Sequence, residues 1–261
     1  MIARCMMVAV AILLTSPLRA ENTFPGLYPA NPALSAADII RETYAAAGGE
    51  SWRRPKTLRM DGYAVMYRDG APVLYDAYTM LRVYDWKKDA AHAADGKVRI
   101  EAFREGKRVF LIAFDGKTTY DMNGPIADPA ANAQWASNFG FGAIRHALDE
   151  GWSQKRLPDD LVDGRPVYMI ELVDPSASVT RFGIDQETYQ VLYVGFDTPR
   201  GWHERRYSHF FTRPGVDWVQ PGRVRLFYNG VKQNEVIWTD FELNAALPES
   251  LFKVEPPRSD P

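Results

Sequence analysis

Cysteine is almost missing. The only one among 261 residues is Cys5, in an N-terminal stretch that reads as removable. No disulfide can staple the remainder, which must be held by a packed core. Charge of one sign is also missing: the formal net charge is -2, without the Lys/Arg surplus that a phosphate-tracking surface needs, which excludes a nucleic-acid binder. Long hydrophobic runs are lacking too, because the apolar stretch 5–14 is too short to span a bilayer. No G-x-S-x-G, H-E-x-x-H, G-x-x-x-x-G-K-[ST] or C-x-x-C motif occurs. Gly140-Phe141-Gly142-Ala143 lacks the third glycine and follows no strand, so it makes no phosphate loop.

What is present starts with an export signal. Arg4, the apolar run and a small residue at Ala20 match a secretory signal over 1–20, cut after Ala20. Loss of Arg4 and Arg19 with it takes the net charge from -2 to -4. Three prolines and two asparagines then punctuate a polar arm over 21–32 and just beyond. A single domain is expected over 33–257, followed by a tail at 258–261, because no repeat or second composition regime divides the chain.

Ser35 with Asp38 three positions on predicts a helix start, and Gly48-Gly49 its end. Ile39, Ile40, Thr43, Tyr44 and Ala47 form its buried stripe. Strand character dominates afterwards, over 58–67, 73–84, 97–104, 108–114, 167–173, 179–184, 189–196, 202–211, 224–228 and 235–243. The turn dipeptides Asp69-Gly70, Asp95-Gly96, Glu105-Gly106, Asp115-Gly116, Asn123-Gly124, Asp163-Gly164 and Asn229-Gly230 separate many of them. Strands joined this way are antiparallel neighbours, so the expected fold is mainly β, a meander curling into a sheet or barrel. Val98, Ile100 and Ala102 alternate with Lys97, Arg99 and Glu101, giving one wet face, whereas 108–114 is apolar on both faces. The island 127–151 breaks the meander with Trp135, Phe139, Phe141, Ile144 and Leu148 at near-helical spacing, and reads as short helices over a sheet face.

Chemistry-bearing residues are scattered. His203 and His209 share a strand face with Arg205 and Tyr207, an arrangement that alternation produces by default, and no third metal ligand is in sight. His146 reads as a helix-surface or capping residue, and Asp159-Asp160 as turn chemistry. The aromatic content is high, with 13 Tyr, 13 Phe and 7 Trp. These residues either form a core under covering helices or line a cavity enclosed by the sheet, where methionine and aromatics would suit a flexible apolar ligand.

The helix ending in Gly48-Gly49, the segment FDGKTTYDMNGP at 114–125, RFGIDQETYQVLYVGF at 181–196 and LPESLFKVEPP at 247–257 together resemble the LolA-like lipoprotein-carrier and lipoprotein-sorting superfamily of bacterial periplasmic proteins. The family's D-G-K-x-x-W/Y-x-x-N-P-like signature is matched by Asp115, Gly116, Lys117, Tyr120, Asn123 and Pro125, with Gly124 inserted. Phe252 before Pro256 matches its F-x-x-x-P ending. The resemblance implies a half-open antiparallel barrel with an N-terminal helix and short lid helices on its concave face. It also implies a periplasmic carrier or chaperone of a lipid, acyl chain or lipoprotein, monomeric, without cofactor or covalent catalysis, serving an inner-membrane transporter and an outer-membrane acceptor. The chain is longer than the classical carrier over 202–221 and offers no obvious counterpart of its functional arginine, so binding of an apolar ligand is the expectation that survives. Trp135, Phe139, Phe141, Ile144 and Leu148 are the expected lid, and Phe110, Ile112, Tyr120 and Tyr207 the expected wall. A hydrolase using His203 or His209 with a carboxylate, or a sensory module docking on an envelope complex, are the alternatives from other classes.

Overall fold

A computed structural model describes residues 33–68, 70–86, 96–136 and 140–255, with backbone alone for 133–136 and 140–141. The presumed signal, the arm, the tail, Asp69, His92, Asp95 and Phe139 lie outside the described residues, as do the side chains of Trp135 and Phe141.

The first helix follows its sequence signals closely. Helix α1 (Ala36–Ala47) begins where Ser35 Oγ accepts the Asp38 backbone N–H at 3.1 Å. It buries Ala36, Ile39, Ile40, Thr43, Tyr44 and Ala47. Gly48 stops it at φ 125°, and a short helix α2 (Gly49–Arg53) follows with Trp52 buried.

The strands form one antiparallel sheet, fourteen in number among the described residues. The first group is β1 (Thr57–Arg68), β2 (Ala71–Val83), β3 (Lys97–Arg104), β4 (Lys107–Phe114), β5 (Thr119–Asp121) and β6 (Gly124–Pro125). Helix α3 (Pro129–Ala136) and the 3-10 helix Gly140–His146 come next. The second group is β7 (Ser153–Arg156), β8 (Asp160–Val162), β9 (Arg165–Val173), β10 (Val179–Asp185), β11 (Val191–Thr198), β12 (Gly201–Arg213), β13 (Val216–Tyr228) and β14 (Val231–Leu243). A last 3-10 turn, Glu249–Phe252, lies on β3 with Phe252 fully buried.

Spatial order runs β6-β5-β4-β3-β2-β1-β14-β13-β12-β11-β10-β9-β7, with β8 also on β9. First and last strands therefore pair, Leu58 opposite Leu243 through Met66 opposite Asn234. The ring stays open between β6 and β7, and the chain joining those two edges is the helical island. The result is a strongly curved, half-open barrel, as the resemblance implied.

Tight hairpins carry the register. Glu105 and Gly106 (φ 52° and 71°), Asp163 and Gly164 (50° and 80°), and Asn229 and Gly230 (48° and 77°) each form a two-residue turn with both residues at positive φ, at the sites the dipeptides marked. The Asn123-Gly124 expectation shifts by one residue: Asp121 pairs with Gly124, so Met122 and Asn123 make the turn. Strand segments that exceed the sequence reading include β6, β7, β8 and the first half of β13. β7 and β8 are one edge strand interrupted around Pro158, and Asp160 sits in the latter rather than in a turn. The first half of β13 contains Pro221, which ordinarily argues against a strand. Here that half pairs only with β12, and pairing with β14 begins at Arg223, so the proline removes no ladder hydrogen bond on its open side.

Two regions fill the concavity differently. On the β9 to β11 side, α1 and the Gly140–His146 helix pack in, and Ile39, Ile40, Ile144, Ala147, Phe182, Ile184 and Val194 are wholly buried. On the β1 to β4 and β12 to β14 side, the concave face keeps open space. β4 is covered on its outer face at Leu111 and Ala113, but that face opens at Val109, so full covering on both sides holds only for its second half. Among the described residues no helix is long and apolar enough to cross a membrane.

Gly48 is the tightest joint of the helical cap. A Cβ there would lie 2.3 Å from the Asp217 carbonyl oxygen of β13 and would also require a left-handed φ, whereas Gly49 at φ 61° has open space. Gly48→Ala is expected to lower unfolding stability by about 2–4 kcal/mol and Gly49→Ala by about 1 kcal/mol. Urea denaturation of both variants checks this, and equal losses would contradict the close approach to β13.

Candidate functional site

The open half of the concave face holds a cavity of about 670 Å³. Strand alternation builds it. Leu58, Met60 and Met66 from β1, Tyr75, Tyr78, Met80 and Arg82 from β2, Ile100 from β3, and Phe110 and Ile112 from β4 point inward on one side. Arg205 and Tyr207 from β12, Val224, Leu226 and Tyr228 from β13, and Val236 and Trp238 from β14 face them. Tyr78 and Trp238 meet ring to ring at 5.5 Å.

The deep end is a buried floor of Trp52, Arg82, Tyr84, Arg145, Trp218 and Gln220. Arg145, from the 3-10 helix, is 2% exposed. Its guanidinium lies over three aromatic faces, Trp52 at 4.7 Å, Tyr84 at 5.2 Å and Trp218 at 5.4 Å, which offsets part of the cost of burying its charge. Arg82 lies over Tyr84 at 5.0 Å. Gln220 is satisfied locally, accepting from Trp218 Nε1 and donating to the Pro221 carbonyl. The opposite end is a partly exposed rim with Arg68, whose guanidinium donates to the Tyr75 hydroxyl at 2.8 Å, and Arg200, 4.2 Å over the Tyr228 ring.

Charge on the lining has one sign. Five arginines and no aspartate or glutamate occur among its described residues. Burial pushes the Tyr207 hydroxyl up to about 12, and the positive charges of Arg205, Arg82 and Arg145 oppose the rise. Burial likewise raises Tyr78, opposed by Arg205.

The expected site residues fall in three groups. Phe110, Ile112 and Tyr207 line the cavity. Tyr120 does not: it sits on β5, where its hydroxyl donates to Asp115 at 3.1 Å, and Asp115 in turn accepts the Lys117 and Thr118 backbone N–H groups, so the acids of that segment build turns. Ile144 is fully buried in the core and Leu148 packs against it, while the described island residues that reach the cavity are Ala131 and Arg145. Trp135, Phe139 and Phe141 fall where side chains are not described. The island thus supplies a floor to the cavity through its 3-10 helix.

The described histidines do not converge on the cavity. His203 is buried against Phe196 at 4.5 Å and edge-on to Tyr228 at 5.0 Å, whereas His209, at φ 55°, is exposed beside Ser208. His146 is buried rather than on a helix surface, stacked on Trp152 at 5.6 Å and against Trp86 at 5.5 Å. No three His, Cys, Asp or Glu side chains among the described residues come together as a metal site.

The cavity arginines were among the residues missed. A signal existed: Tyr78, Met80, Arg82 and Tyr84 recur at period two, so Arg82 shares the face of its apolar neighbours. Arg205 shares a face with Tyr207 in the same way. Arg145 had no such mark, because the 3-10 path of its segment obeys neither strand nor α-helix spacing.

No protein-family model and no curated protein matches the sequence. The fold does find a match. A LolA superfamily protein from Nitrosomonas europaea superposes with a TM-score of 0.51 at 15% identity, covering 84% of this chain and 98% of that one. This chain shares the fold of that protein. A putative outer-membrane lipoprotein-sorting domain from Vibrio parahaemolyticus aligns more loosely, with a TM-score of 0.46 at 12% identity over 82% of this chain and 94% of that one. In this chain the gap between the two sheet edges is bridged by the island that carries Arg145.

The floor is clamped to α2 through Asp149, which accepts from Arg53 at 2.7 Å, Arg54 at 3.0 Å and His146 Nδ1 at 2.9 Å. Tyr44 Oη also donates to the Ile144 carbonyl at 2.7 Å. Partial burial of Asp149 disfavours its charge, but the His146 hydrogen bond and the Arg54 and Arg53 charges hold its carboxyl below the ordinary value of 3.8. A depressed carboxyl contributes stability that is present above 3.8 and lost as pH falls below it. Asp149→Asn is expected to cost about 1–2 kcal/mol at pH 7 and to remove part of the acid sensitivity below pH 4. Denaturation as a function of pH measures both, and a variant with wild-type stability and an unchanged acid limb would contradict the clamp.

Proposed function

We propose that this protein is an exported periplasmic carrier that shelters a lipid, an acyl chain or a lipidated protein in the concave cavity, acting by burial without covalent chemistry. The observation that carries this reading is the cavity itself: about 670 Å³ left open on the concave face, lined largely by methionine, aliphatic and aromatic side chains. That volume lies within the range of about 300–1,000 Å³ common to small-molecule sites. A fold with a well-packed second half has no structural need for such a space, since interiors ordinarily fill to crystal-like density. The LolA-superfamily fold and the N-terminal signal features are consistent with the same reading.

The energetics suit a carrier. Each methylene covered is worth about 0.8 kcal/mol, so one chain is held by several kcal/mol and can still be handed on. Methionines Met60, Met66 and Met80 add an adaptable surface for ligands of varying shape. Delivery between membranes would then need a donor and an acceptor protein; the chain is read as a monomer between them.

The test is saturable binding of the fluorescent apolar probe N-phenyl-1-naphthylamine, competed by detergent-free fatty acid. Val236→Trp, which projects a larger ring from β14 into the cavity, is expected to weaken probe binding at least tenfold at near-native stability. Exposed Leu74→Trp on β2 should leave it unchanged. Absence of saturable binding by the wild-type protein would overturn the carrier reading, and equal effects of the two variants would move the site elsewhere.

A further inference from the structure

The cavity has a length as well as a volume, and the two together limit how much ligand it can hold. Its lining on β2 runs from Tyr75 to Arg82, which at about 3.4 Å per residue is about 24 Å along the strand. The buried rings of Trp52, Tyr84 and Trp218 close one end. Spread over that length, a volume of about 670 Å³ has a mean cross-section of about 28 Å². An extended acyl chain needs about 25 Å², because a heavy atom takes about 30 Å³, as a water does in the liquid, and the chain advances about 1.2 Å per bond. Two chains abreast would need about 50 Å² on the same allowance. Length and volume agree: the first holds about twenty bonds and the second about twenty-two heavy atoms. The wall offers no seam at which to widen, because it is one continuous hydrogen-bonded ladder through β4-β3-β2-β1-β14-β13-β12.

We propose that the cavity takes one acyl chain, of about 16–18 carbons, and that its ligand is a single-chain amphiphile such as a fatty acid or a lysolipid. This rests on the carrier reading and adds the number and length of chains to it. Discrimination against two-chain lipids follows from the alternative that a bilayer offers. There both chains of a diacyl lipid are covered, whereas in this cavity one is covered and the other is left in water, at a cost that grows with every exposed methylene. A single-chain lipid leaves nothing apolar behind. The three methionines Met60, Met66 and Met80 border the channel and let it follow a saturated or a kinked chain without changing the count.

The experiment incubates the protein with detergent-free vesicles of dioleoylphosphatidylcholine containing a tenth part each of oleate and oleoyl-lysophosphatidylcholine. The protein is then separated by flotation and its bound lipid is weighed by native mass spectrometry. The expected result is one lipid per protein, with a single-chain species enriched at least tenfold over its share of the vesicle. Dioleoylphosphatidylcholine bound in proportion to its share, or two single-chain molecules on one protein, overturns the one-chain assignment and leaves the carrier reading standing. No bound lipid of any kind removes both. A length series of fatty acids from 10 to 18 carbons, read by displacement of the fluorescent probe, tests the fit itself. Affinity is expected to rise about fourfold per methylene through about 16 carbons in the wild-type protein. Ile112→Trp, which adds about six heavy atoms to the wall of β4, should end that rise about six carbons earlier. An unmoved end point in the folded variant places the chain elsewhere and overturns the proposal. The vesicle competition needs no variant, so a poorly folding Ile112→Trp does not decide the outcome.

Discussion

The missing pair in the sheet governs everything else. Every strand but β7, which pairs with β9, lies beside a sequence neighbour, and the two ends of the chain's β region pair with each other, so only a β6 to β7 contact separates this sheet from a closed barrel. Leaving it open creates two unpaired edges and a concave interior exposed to solvent, both of which a stable protein has to manage. The island solves this with one segment: α3 lies beside β5, and the Gly140–His146 helix enters the concavity, packs against β10 and β11, and delivers Arg145 to the cavity floor. A closed ring would have filled its interior with its own strand side chains; the open one has room for a foreign molecule.

How that room is divided follows from where the helices lie. α1 and the 3-10 helix occupy the β9 to β11 half, and their anchors are Tyr44 on the Ile144 carbonyl and the Arg53, Arg54 and His146 contacts of Asp149. The row of rings Tyr84, Trp86, His146 and Trp152, each 5.4–5.6 Å from the next, continues the same seam from the end of β2 to the island. The other half is left with long strands, methionines and arginines. A stiff floor and an unfilled chamber thus lie side by side in one sheet, which is what reversible uptake of a flexible ligand requires: a preformed space that is not refilled by collapse.

Legibility in the sequence tracked how local the determining physics is. The Ser35 cap, the Gly48 stop and the three two-residue hairpins were readable because each depends on residues within four positions of one another. The meander and the fold family were readable for the same reason. The first half of β13 was hidden by Pro221, whose tolerance comes from an unpaired side that only the assembled sheet reveals. The site was legible in part. Alternation correctly set Phe110 with Ile112 and Tyr207 with Arg205, but the direction of each face depends on the curl of the whole sheet. Tyr120 belongs to a turn network instead, and the place of Arg82, Arg145 and Arg205 in one cavity lining emerges only when three distant segments are assembled.

The central claim is that the open barrel exists to hold an apolar ligand, and the most direct measurement is native mass spectrometry of the protein purified from a bacterial periplasm without detergent. The account predicts a population heavier than the bare chain by the mass of a lipid, which appears as an acyl-containing species on organic extraction and is displaced by added fatty acid. A single species at the mass of the chain alone, with no lipid in the extract and no uptake of added fatty acid, would contradict it.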